Sequence, residues 1–190
     1  KAGVGVVLNY KLSYERDQKK VVDVRYRILG IDENRDDFKV GITTISKDGD
    51  VSLHSMGLPE VGESIQYRVS RTGEIIHVED YPQNSKFYVP SLVFPEGDPA
   101  AHPFWEHSGL WIGESGKTYR YRIRYELAGK ADFDGVPCEK MAAAMSITSE
   151  ARQEPTSGFD GYLLFSKELG RVLSMEWNYC VENKCHSKLS

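Results

Sequence analysis

Apolar and charged residues alternate along much of this chain. In Tyr119-Arg120-Tyr121-Arg122-Ile123-Arg124-Tyr125-Glu126-Leu127 every odd position is aromatic or aliphatic and every even position is charged. Successive strand side chains point to opposite faces of a sheet, so this period of two predicts a strand with one dry and one wet face. Tyr10-Lys11-Leu12-Ser13-Tyr14-Glu15 repeats the pattern. Met141–Thr148 does so less cleanly: Ala and Met favour helix, whereas Ile147, Thr148 and the preceding Gly135-Val136-Pro137 turn favour strand. Further strands are predicted over 20–31, 38–46, 51–56, 63–70, 74–79, 86–93, 159–166 and 171–179. Lys47-Asp48-Gly49-Asp50 carries the Asp-Gly pair of a tight hairpin. Arg71-Thr72-Gly73 and Glu168-Leu169-Gly170 are longer versions, and Asp134-Gly135 opens another strand. No long stretch keeps a helical period, and the one place for a short helix is 99–108.

These elements predict an all-β, mainly antiparallel fold: a curved meander sheet or half-barrel forming a single domain over 1–190. Two similar halves, 4–79 and 117–179, are one reading of it. Tyr10–Glu15 resembles Tyr121–Glu126, and Ser46–Val51 resembles Ser166–Val172 with one insertion. An old duplication and convergent hairpin chemistry both explain that likeness.

The connecting region 80–116 is different in kind. It holds five of the eight prolines (Pro82, Pro90, Pro95, Pro99, Pro103), together with Tyr81, Phe87, Tyr88, Phe94, Phe104, Trp105 and Trp111. Proline cannot donate to a ladder, so little of the region suits a central strand. A long aromatic connection either packs down as a plug or lid or presents an aromatic surface.

Composition narrows the function classes. The 190 residues carry a formal net charge of −4, with no basic run, which argues against a general nucleic-acid or anionic-membrane binder. No apolar run approaches a membrane span. Three cysteines, Cys138, Cys180 and Cys185, allow three pairings that each leave one thiol free, and the sequence does not choose among them.

Candidate chemistry is sparse. His102-Pro103-Phe104-Trp105-Glu106-His107 offers two imidazoles and a carboxylate, all suitable zinc ligands, but Pro103 and the spacing do not match a helical His-Glu-x-x-His site. Cys180-Val181-Glu182-Asn183-Lys184-Cys185-His186 is an expanded form of the C-x-x-C-H haem attachment motif, for which His54, His77, His102 or His107 would be the distal ligand. No Gly-x-Ser-x-Gly elbow is present. Carboxylate pairs such as Asp36-Asp37 and Glu79-Asp80 are common on surface loops. The residues therefore point to no catalytic set, metal or cofactor. Arg120, Arg122 and Arg124 share one strand face, as a wet face with acidic cross-strand neighbours would.

Gly116-Lys117-Thr118-Tyr119-Arg120-Tyr121, Asp134–Lys140, Gly158–Ser166, Gly170–Ser174 and Leu58-Pro59-Glu60-Val61-Gly62-Glu63-Ser64 together resemble uncharacterised bacterial exported proteins and lipoproteins built as curved antiparallel sheets. The resemblance implies an exported, periplasmic or cell-envelope protein, and some such half-barrels carry lipid-like ligands on the concave face. The expected function is non-enzymatic binding of a hydrophobic or amphipathic ligand, with Tyr81, Phe87, Tyr88, Phe104, Trp105, Trp111, Tyr119, Tyr121 and Tyr125 as candidate contacts, since tyrosine joins a large apolar area to a polar tip. The alternatives are a cell-envelope interaction module docking by strand addition, and third a haem or metal protein.

Overall fold

In a computed structural model the alternation becomes an almost entirely antiparallel β protein. Residues 4–15, 19–51, 53, 58–79, 92–112, 117–149, 157–181 and 184–189 are described; for Tyr14, Glu15, Lys19, Trp111, Ile112, 179–181 and 184–189 this covers the backbone only. The strands are β1 (Val7–Glu15), β2 (Lys19–Asp32), β3 (Asp37–Lys47), β4 (Ser64–Ser70), β5 (Ile75–Glu79), β6 (Phe104–Ile112), β7 (Thr118–Phe133), β8 (Val136–Ser149), β9 (Ser157–Ser166), β10 (Arg171–Val181) and β11 (Lys184–Leu189). β1–β5 and β6–β10 are two five-stranded meanders, and β11 lies between β1 and β10, giving the order β5-β4-β3-β2-β1-β11-β10-β9-β8-β7-β6. The sheet does not close, and β5 and β6 are its ends. Register shifts place an extra residue in β2, β3, β5, β7 and β10, the bulges that let the strands twist and curve.

The predicted alternation is realised in β7. Tyr121, Ile123 and Tyr125 are buried, while Arg120, Arg122 and Arg124 are exposed. Arg124 Nε donates to Glu106 Oε1 at 2.6 Å across β6–β7, the acidic cross-strand neighbour expected of a wet face. The hairpin from β7 to β8 turns on Asp134 and Gly135 alone, both at positive φ, the backbone that a two-residue hairpin requires.

Each meander has its own core. The first gathers Val22, Val24, Ile42, Ile65 and Tyr67 with Val51, Leu53 and Leu58 from the loop after β3. The second gathers Tyr121, Ile123, Tyr125, Met141, Ala143, Ile147, Leu163 and Trp177. Tyr10 Oη donates to the Val172 carbonyl at 3.1 Å, tying β1 to β10. Burial, reinforced by Tyr10, pushes the Tyr26 phenol up to about 12.

Three expectations are corrected. Of the strand expected over 51–56, 52 and 54–56 lie outside the described residues, and Val51 and Leu53 are buried in a loop that caps the first core, held by Thr44 Oγ1 donating to the Pro59 carbonyl at 2.8 Å. Lys47–Asp50 accordingly opens that loop and not a tight hairpin, because β4 starts only at Ser64. No helix fills 99–108. A single 3-10 turn at Pro99–Ala101 is capped by the Asp98 carboxylate, and β6 begins at Phe104. Of the strand expected over 86–93, residues 86–91 lie outside the described residues, and Leu92 and Val93 belong to no strand. β11 was not expected from the sequence at all.

Candidate functional site

The described part of the aromatic connection, Leu92–Pro95, lies as a strap across the second core. Leu92 and Phe94 pack on that core. The Phe94 ring sits among Phe165 (5.3 Å between centroids), Trp105 (6.1 Å) and Tyr125 (6.2 Å). Trp105 stacks on Tyr125 at 4.7 Å with 10° between the planes. These distances fall in the favourable range for aromatic pairs.

The strap is pinned at three points. The Phe94 amide donates to the Thr72 carbonyl at 2.7 Å, so the β4–β5 turn of the first meander holds it. Gly73 in that turn lets the Leu92 carbonyl approach where any Cβ would collide with it. Trp105 Nε1 donates to the Val93 carbonyl at 2.9 Å. Beyond the strap, Lys167 Nζ donates to Asp98 Oδ2 at 3.0 Å and lies 3.3 Å from Glu139 Oε1. The hydrogen bond from Lys167 holds the Asp98 carboxyl below the usual carboxylate range, and the same bond raises the Lys167 ammonium.

Beneath the strap, Tyr125 is fully buried and its hydroxyl makes no well-formed hydrogen bond. The backbone of Val93, whose carbonyl Trp105 engages, acts on it and lowers its pKa against the larger effect of burial. Burial pushes the Tyr125 phenol well up. A buried polar group left in this state is costly, and it would gain from any ligand atom that reached it.

The structure thus brings Trp105, Tyr121 and Tyr125 together, with Tyr119 half-buried at the core's margin. It turns Phe104 outward, 56 % exposed, on the opposite face of β6. Trp111 is on β6 opposite Tyr119, and Tyr81, Phe87 and Tyr88 lie outside the described residues. Phe94, Phe165 and Gly109 complete the site. Gly109 stands opposite Tyr121 on β6, and the Tyr121 ring occupies the space a Cβ would take, which would lie 2.5 Å from Tyr121 Oη. A glycine amid aromatics on an extended run was the available sign of that close approach.

The other candidates come out as follows. β6 sends Glu106 and His107 to opposite faces: Glu106 pairs with Arg124, and His107 Nε2 lies 3.3 Å from Tyr121 Oη. His102, Glu106 and His107 therefore do not converge, and no group of three or more His, Cys, Asp or Glu among the described residues could hold a metal ion. Cys180 and Cys185 stand opposite one another on β10 and β11, His54 lies outside the described residues, and His77 is exposed on β5. Cys138 is buried on β8, where desolvation and then Asp132 push its thiol up, the reverse of an activated nucleophile. It borders an open cleft of about 260 Å³ with Lys130, Pro137, Glu139 and Lys167, whose Lys167 and Glu139 already pair. No helix among the described residues is long and apolar enough to cross a membrane. Comparison with family models, curated proteins and solved structures found no match to this chain.

Proposed function

We propose that this is a non-enzymatic binding protein of the cell envelope whose ligand, a hydrophobic or amphipathic molecule with an apolar chain and a polar end, takes the place of the Leu92–Pro95 strap. The observation that carries this reading is Phe94 held among Trp105, Tyr125 and Phe165 above an unsatisfied Tyr125 hydroxyl. The strap belongs to no strand, is held by single hydrogen bonds at Val93 and Phe94, and fills an aromatic cleft, so an apolar ligand replaces like with like. Lifting it frees Trp105 Nε1 and Tyr125 Oη to meet a polar end. Sites of this kind are mostly apolar with a few placed polar groups.

The test is Phe94→Ala. Fully burying a phenylalanine contributes about 1.5–3 kcal/mol and Phe94 is half-buried, so the variant should raise the open-strap population, and with it the affinity for an amphiphilic dye such as anilinonaphthalene sulfonate, roughly three- to tenfold. Far-UV circular dichroism should show unchanged strand content. Equal, negligible dye uptake by both forms would contradict the proposal. A second reading, docking by strand addition, is favoured by the edge of β6, which pairs with β7 alone among the described residues and on which Phe104 and Leu110 are 56 % and 59 % exposed. It predicts no dye uptake by either form.

A further inference from the structure

Strand register distinguishes among the three cysteine pairings that the sequence left open. We propose that Cys180 and Cys185 form a disulfide that clamps the β10–β11 hairpin, and that Cys138 remains a free thiol. Cys180 and Cys185 are directly opposed, one pair in from Val181 and Lys184. Directly opposed residues of an antiparallel pair lie about 4.5 or 5.5 Å apart at Cα, and both values fall inside the roughly 4.4–6.8 Å that a disulfide spans.

Cys138 is out of reach of either. Cys180 is opposed to Gly158 on β9, and Gly158 to Ser146 on β8. Cys138 is on that same β8, eight residues before Ser146, which is roughly 26 Å along a strand. It is buried, with its Sγ 3.3 Å from the Val136 carbonyl.

The bond would act at the seam of the molecule. β11 is the strand that joins the two meanders, yet among the described residues it opposes β1 only at Tyr14–Leu189 and Glu15–Lys188. On its other side the register slips between Tyr179 and Cys180, where the pairing passes over His186. A covalent link on the turn side of that bulge fixes the register of the joining strand. In forming it, the two thiols lose two protons and two electrons and make one S–S bond; a disulfide oxidant takes up both and is reduced to two thiols. The inference does not depend on the ligand reading.

Trypsin supplies a direct test, because it cuts after Arg171, Lys184 and Lys188 and so separates Cys180 from Cys185. The full chain is incubated with oxidised glutathione, alkylated with iodoacetamide in denaturant and digested without reduction. We expect one alkylated cysteine, Cys138, and peptide 172–184 linked to peptide 185–188; prior reduction should give three alkylated cysteines. Cys138→Ser should keep the link with no alkylation, and Cys180→Ser should leave Cys138 and Cys185 both alkylated. Three alkylated cysteines after oxidation, a link through Cys138, or haem absorbance with both thiols consumed would overturn the proposal.

Discussion

Replacing Tyr125 by Ala is expected to lower the unfolding free energy by about 3–5 kcal/mol, the usual cost of deleting a large buried aromatic. Tyr125 has no exposed surface and supports both the Trp105 stack and the strap ring of Phe94, so its loss opens a cavity and removes the floor of the candidate site. Tyr125→Phe should behave in the opposite sense. It keeps the ring and deletes a hydroxyl without a well-formed partner, so stability should be unchanged or rise by about 1 kcal/mol. Urea unfolding with an unchanged slope separates the two outcomes. A loss of more than about 1 kcal/mol for Tyr125→Phe would mean that the hydroxyl is bonded, and the polar half of the binding proposal would fall with it.

The second large effect is expected at Gly161. This residue on β9 faces Trp177 on β10, and a Cβ there would collide with the Glu176 carbonyl oxygen and lie 2.8 Å from its carbon. The obstacle is backbone in the middle of a ladder, which cannot rotate aside as a side chain can. Gly161→Ala should therefore cost about 3 kcal/mol, at the upper end of ordinary overpacking, and lower Tm by roughly 6–12 °C in a chain of this size. Gly30→Ala is the control. Its Cβ would meet nothing nearer than Lys39 Cβ at 3.9 Å, so it should change stability by no more than about 0.5 kcal/mol. Equal effects at the two glycines would contradict the close β9–β10 approach.

The strands that the sequence revealed are those with one dry and one wet face. β7 is the clearest, since arginines and aromatics there divide cleanly between the two sides of the sheet. β6 was hidden because both of its faces carry apolar residues: Trp105 faces the core, while Phe104 and Leu110 face solvent, which erases the period of two. Pro103 immediately before it reinforced the impression of a loop or helix start. β11 reads Lys184-Cys185-His186-Ser187-Lys188-Leu189, with no alternation of its own; its place comes from pairing with β10. At Val51 and Leu53 the apolar alternation reports two loop side chains plugging the first core.

The candidate site was legible to the same partial degree. Tyr121 and Tyr125 follow from strand parity, and Trp105 from composition. The convergence of Phe94 and Phe165 depends on long-range packing that a linear pattern does not encode. The two pairs of segments that look alike in sequence occupy β1 and β7, and the ends of β3 and β9, six strands apart along the chain in each case.

Hydroxyl-radical footprinting of the native chain reads the sidedness of β6 and β7 residue by residue. We expect Tyr121 and Tyr125 to be strongly protected relative to the unfolded chain, Trp105 to be intermediate, and Phe104 to label almost as fast as in the unfolded state. Comparable labelling of Tyr121, Tyr125 and Phe104 would show that no strap-covered aromatic face exists, and the proposed ligand site would have no floor on which to rest.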